Sequence, residues 1–111
     1  MQDTLYLLEP GFPDPKLGDA SWYCPSCAQL EGLLAHAPAL RERLQVVRLA
    51  FARPRQMLVE LLGEAHQSCP VLVLGGGEGG QPAPTGKRFI AGAGPIAEYL
   101  AQAYGTPRPH P

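Results

Sequence analysis

Two cysteines with two residues between them, Cys24-Pro25-Ser26-Cys27, are the side chains of this sequence best suited to chemistry. A thiol reacts as its thiolate, and a thiolate is stabilised by unpaired backbone N–H groups. The first turn of a helix offers four such groups together with the positive end of the macrodipole. Pro25 suits the first helical position, because the N–H it lacks has no partner there in any case. The spacing therefore predicts a helix opening just after Cys24, with Cys27 on the neighbouring helical position, where side chains meet. A pair so placed can form and break a disulfide locally. In that arrangement Cys24 is the nucleophile that attacks a substrate disulfide, and Cys27 resolves the mixed disulfide.

Further groups stand close in sequence to this pair or to the predicted strand ends. Cys69-Pro70 directly precedes the apolar run 71–74. On sequence alone Cys69 reads first as a small buried hydrophobe beside the groove, a spectator to the redox pair. Three thiols and a fourth ligand also make a set able to hold zinc or an iron–sulfur cluster, with His66 the nearest fourth ligand. The sequence contains no second closely spaced cysteine pair to strengthen that reading. Trp22 and Tyr23 precede Cys24, where an aromatic ring can cover a disulfide and form the lip of a peptide-binding groove. Arg53 and Arg55 lie between a predicted strand and a predicted helix, and suit recognition of a carboxylate of glutathione or of a protein partner.

The elements that must position these groups follow from the apolar pattern. Thr4–Leu8 reads as a strand, and 9–20, with three prolines and two glycines, as a long loop. Cys27, Leu30 and Leu34 share one face of the helix predicted over Pro25–His36, and Pro38 interrupts it before a further turn or two at 39–44. Residues 46–51 read as a second strand. Met57, Leu58, Leu61 and Leu62 form a helical stripe that Gly63 stops. Val71–Leu74 is apolar throughout, as a central strand buried on both faces must be. The Gly- and Pro-rich stretch 75–86 reads as a turn, 87–91 as a short edge strand and 94–104 as a closing helix. The order βαβαββα implies a parallel first pair with a right-handed crossover and an antiparallel last pair. The expected architecture is thus α/β, a mixed four-stranded sheet with helices on both faces.

With 111 residues, 45% of them apolar, the chain is expected to form a single domain. A net charge of −1 argues against nucleic acid as the main partner. No stretch approaches the ~20 apolar residues of a membrane span, and the opening residues lack the basic and long apolar regions of a signal peptide. The expected location is the cytoplasm, where three cysteines do not make a disulfide framework and a close pair reads as redox-active or metal-binding.

The Cys24-Pro25-Ser26-Cys27 segment, the run Pro70-Val71-Leu72-Val73-Leu74 and the final helix with Ile96, Tyr99, Leu100, Tyr104 and Gly105 resemble those of a glutaredoxin and of the amino-terminal domain of glutathione transferases. Over its whole length the chain resembles a bacterial family of thioredoxin-like proteins of unknown function. That likeness rests on Asp3-Thr4-Leu5, Pro10-Gly11-Phe12, Arg53-Pro54-Arg55-Gln56 and the same Pro70 run. The resemblance implies a thioredoxin-like, glutaredoxin-type fold. It implies that Pro70 follows a cis peptide bond and faces Cys24 across a groove, and that the backbone of Cys69 pairs with an extended thiol peptide such as glutathione. Together with the readings of the residues above, the expected substrate-binding set is Tyr23, Pro25, Cys69, Pro70, Arg53 and Arg55.

The transferases carry an acidic residue and a serine before their last helix. Here Ala91-Gly92-Ala93-Gly94 stands in their place, leaving backbone N–H groups alone to bind an anion. The transferases' helical second domain is also missing, so transferase chemistry is not expected. The expected activity is thiol–disulfide exchange on a protein disulfide or a glutathione mixed disulfide, with glutathione as co-substrate. The alternative is a non-catalytic thioredoxin-like module that binds a metal, a cluster or a protein partner through Cys24, Cys27 and Cys69.

Overall fold

The computed structural model describes residues 2–111. Seven strands and four helices follow one another as β1 (Thr4–Leu8), β2 (Phe12–Pro13), β3 (Ser21–Trp22), α1 (Pro25–His36), α2 (Leu40–Arg43), β4 (Gln45–Leu49), α3 (Gln56–Leu62), β5 (Val71–Leu74), β6 (Gln81–Pro82), β7 (Arg88–Ala91) and α4 (Ala93–Tyr104). Five of the strands form one mixed sheet in the order β4-β1-β5-β7-β6. The pairing of β1 with β4 is parallel, from Thr4 opposite Gln45 to Leu8 opposite Leu49. Those of β5 with β1 and with β7 are antiparallel.

Strand β5 is apolar at every position and β1 is buried from Leu5 onward, because helices cover both faces of the sheet and side chains alternate between those faces. Leu5, Leu7, Leu72 and Leu74 point into one cluster with Leu30 and Leu34 of α1 and Ile96 and Leu100 of α4. Tyr6, Val71, Val73 and Phe89 point the other way, onto Leu58 and Leu62 of α3. Helix α4 stops at Gly105, whose φ of 76° is the left-handed conformation that glycine adopts without a Cβ penalty.

Three sequence expectations are revised. The main sheet has five strands, not four, because β6 pairs with β7 and covers the edge that 87–91 was expected to leave open. Pro82, which has no N–H to donate, is tolerated on this outermost strand. Next, the expected loop 9–20 contains β2 and leads into β3, and these two-residue strands pair as a hairpin around a 3₁₀ turn at Pro15–Leu17. Gly11 N–H donates to Trp22 O at 2.7 Å and ties the hairpin at its base. The second long strand begins at Gln45 and ends at Leu49, where the parallel register with β1 runs out. Among the described residues no helix is long and apolar enough to cross a membrane.

Candidate functional site

Cys24 and Cys27 stand where α1 begins, against the end of β1, and the backbone of Cys69 reaches the same place. Cys24 is the N-cap of α1, with extended backbone at φ −81° and ψ 115°, and Pro25 takes the first helical position. Cys27 N–H donates to Cys24 Sγ at 3.2 Å, as the spacing predicts for a sulfur serving as a helix cap. Cys24 is partly exposed, and Cys27 is only 2% exposed. Leu8 N–H, at the end of β1, donates to Cys27 Sγ at 3.4 Å and holds that sulfur inside. Burial pushes the Cys27 thiol up to about 12, against the lowering effect of the Leu8 N–H.

Cys69 enters from the loop before β5. The Cys69–Pro70 peptide bond is cis, and so is Arg53–Pro54. Cys24 Sγ faces Cys69 O at 4.0 Å, a weak contact that sets the two residues side by side. Cys69 is partly buried and packs against both hydrophobic clusters, so it stands where the two layers of the core meet. Burial pushes its thiol up to about 11, with the charges of Arg55 and Arg53 acting in the opposite direction. All three cysteines are free thiols.

A cleft of about 350 Å³ opens beside the pair, lined by Leu8, Pro10, Tyr23, Cys24, Cys27, Ala28 and Glu31. Its one aromatic lining residue, Tyr23, is 63% accessible, and Trp22 next to it in sequence is 37% accessible. The hairpin that carries Trp22 is braced against the loop after β4 by Phe12, whose ring stacks on Phe51 at 4.3 Å. Glu31 was not singled out in the sequence, although it lies four positions after Cys27 on the same helix and so on the same face. Arg48 of β4 holds its carboxylate by two bonds of 2.7 Å. That ion pair keeps the Glu31 carboxyl below its ordinary value.

The two arginines part company. Arg53 is exposed, as a residue that meets a ligand must be. Arg55 is only 7% exposed. Its guanidinium donates to Phe51 O at 2.6 and 3.2 Å and to Gln67 O at 2.7 Å. Its own N–H donates to Gln67 Oε1 at 2.7 Å. Arg55 is therefore a clamp between the loop after β4 and the loop that delivers Cys69. Desolvation lowers its own proton affinity, while the three cysteines raise it, which places its positive charge within electrostatic reach of all three.

His66 turns its ring onto Phe89 at 4.7 Å. Among the described residues, no three His, Cys, Asp or Glu side chains are grouped as a metal would require. Pro25 is exposed beside Cys24, and Pro70 is buried beneath Cys69.

A family model described as "Protein of unknown function (DUF3088)" matches residues 2–108. No curated protein and no solved structure matches the chain.

Proposed function

The chain belongs to the DUF3088 family, and from that premise we propose that it is a thiol–disulfide oxidoreductase of the thioredoxin and glutaredoxin type. One observation carries the reading. Cys24 caps α1 through a 3.2 Å bond from Cys27 N–H and keeps its sulfur partly exposed, while Cys27 is sealed one turn inside. That asymmetry is what a nucleophile and a resolving thiol require. The outer sulfur meets the substrate with the Cys27 N–H donating to it, and the inner one is reached only from the outer.

The fold supports the same reading. Its four longer strands, apart from the two-residue pieces, follow βαβαββα with a parallel first pair and an antiparallel last pair, as a thioredoxin-like domain would have. In the reaction the Cys24 thiolate attacks one sulfur of a substrate disulfide and releases the other as a thiolate. Cys27 then attacks Cys24 Sγ, which releases the second substrate thiolate and leaves the Cys24–Cys27 disulfide. Two protein thiols are oxidised and one substrate disulfide is reduced. An external thiol such as glutathione would restore the pair.

The cleft lined by Tyr23, Pro10 and Leu8 beside Cys24 suits a disulfide-bearing protein segment with an apolar residue next to its cysteine. Exposed Arg53 is the cation left for a carboxylate, since the guanidinium of Arg55 already bonds backbone carbonyls. The test is reduction of insulin, and separately of a glutathione–peptide mixed disulfide, with dithiothreitol as final reductant. The wild-type chain is expected to accelerate at least one of them. Cys24→Ser is expected to lower that rate by a factor of at least ~10³ with a thermal midpoint close to wild type, since serine is itself a favoured N-cap and keeps an acceptor for Cys27 N–H. A Cys24→Ser variant as fast as wild type would remove the proposal.

A further inference from the structure

Cys69 is a third thiol at this site, and the mechanism above gives it no reaction. Its position argues otherwise. Cys24 Sγ has two polar neighbours, Cys27 N at 3.2 Å and the backbone carbonyl of Cys69 at 4.0 Å, and the Cys69 thiol lies within electrostatic reach of Cys24. Of the two neighbouring thiols, Cys27 is sealed at 2% exposure with its sulfur bonded by Leu8 N–H. Cys69 keeps part of its surface open and sits on the loop clamped by Arg55.

We propose that Cys69 is a second resolving thiol, which attacks a mixed disulfide held on Cys24 and forms a Cys24–Cys69 disulfide. The step rests on Cys24 being the nucleophile proposed above. It balances in the same way: the Cys69 proton goes to water, the Cys69 thiolate bonds to Cys24 Sγ, and the substrate thiolate leaves with the electron pair of the broken S–S bond. Cys69 thus ceases to be the spectator that the sequence suggests.

The electrostatics run with the geometry. Burial raises both inner thiols, Cys27 to about 12 and Cys69 to about 11. The charges of Arg55 and Arg53 favour the Cys69 thiolate, whereas the Cys27 thiol is lowered by the Leu8 N–H. Negative charge on Cys24 opposes ionisation of both. Formation of the mixed disulfide removes that charge at the moment a resolving thiolate is needed.

The two routes separate in a Cys27→Ala variant treated with one equivalent of 5,5′-dithiobis(2-nitrobenzoate). Capture on Cys24 releases one nitrothiobenzoate anion and leaves the other half attached. Attack by Cys69 releases the second. The expected result is two anions per chain, no adduct in the intact mass, and a Cys24–Cys69 crosslink after proteolysis. Cys27→Ala/Cys69→Ser is expected to release one anion and to keep the adduct. The second release should quicken about tenfold per pH unit while the Cys69 thiol remains protonated.

A Cys27→Ala chain that keeps its adduct and releases one anion overturns the proposal and leaves the proposed function standing. A double variant that takes no adduct on Cys24 overturns both. Wild type supplies the check that needs no core substitution. After limiting oxidation and rapid alkylation, a Cys24–Cys69 bond is expected beside Cys24–Cys27, and its absence at every time point would count against the relay.

Discussion

Strand β1 has two ends, and they are built on opposite plans. Just before Thr4, the carboxylate of Asp3 is 9% exposed and fully engaged. Gly75 N–H, at the exit of β5, donates to its Oδ1 at 2.8 Å. Tyr104 OH and Tyr99 OH, both from α4, donate to its Oδ2 at 2.8 and 3.4 Å. One buried charge thereby fastens three elements together. At the Leu8 end the candidate reactive atoms are sulfurs, and their contacts of 3.2, 3.4 and 4.0 Å are weak. A buried carboxylate with several donors is costly to disturb and therefore rigid. A soft sulfur with one weak donor keeps its electron pairs available. The closed end holds the sheet to α4, while the open end leaves Cys24 partly exposed.

The comparison breaks most sharply at Asp3. Asp3→Ala leaves Gly75 N–H and two phenols without their acceptor and is expected to destabilise the fold by about 3 kcal/mol. At this chain length that lowers the thermal midpoint by roughly 10 °C or more. Calorimetry measures it. Thiol reactivity at Cys24, assayed well below the new midpoint, is expected to stay within twofold of wild type. A large loss of reactivity in the folded variant would mean that the two ends are not independent.

Arg55 is the counterpart of Asp3 at the open end. Arg55→Met keeps the apolar stem but leaves Phe51 O and Gln67 O without their donors, at a cost of about 2 kcal/mol. It also removes a positive charge that favours the Cys69 thiolate, so the Cys69 thiol moves further up. The expected outcome is a lower thermal midpoint together with slower alkylation of Cys69 at a fixed pH below about 11. Alkylation of Cys69 at an unchanged rate would show that Arg55 only ties the loops.

How much of this was readable in advance differs between the two ends. The helix start at Pro25 was legible because a proline at the first helical position and a capping sulfur are local signals three residues wide. Val71–Leu74 was legible because four consecutive apolar residues have few other places to go. The lock on Asp3 was not. Its donors stand 72, 96 and 101 positions away, and a single acidic residue before a strand carries no sign of them. The burial of Arg55 was hidden for a related reason: its partner Gln67 stands 12 positions away, and only the fold returns it to the side of Arg55. The hairpin of β2 and β3 and the edge strand β6 have two residues each, too short for any alternation, and both lie in stretches whose glycines and prolines signal turns.

The smallest effect, and the one that best separates the two ends, is that of a single hydroxyl. Tyr104→Phe removes the 2.8 Å donor to Asp3 and little else. The guanidinium of Arg43 over the ring at 4.8 Å is kept by phenylalanine, as is the bond from Arg43 to the Tyr104 carbonyl. Near neutral pH the loss is about 1 kcal/mol. Its pH dependence follows from the direction of the shift. Burial, and then the bond to Asp3, push the Tyr104 phenol up to about 12, whereas an unfolded tyrosine ionises near 10. The folded state therefore favours the protonated phenol. Its contribution is fully present below pH 10 and is lost as the pH rises from 10 to 12. Thermal midpoints of wild type and Tyr104→Phe, measured in steps from pH 7 upwards, should run parallel and then converge across that window. Tyr99, also raised by burial and by Asp3, is present in both chains and cancels from the difference. Curves that stay parallel through the window would mean that the hydroxyl does not hold α4 to Asp3, and the closed end would then rest on Gly75 N–H and apolar packing.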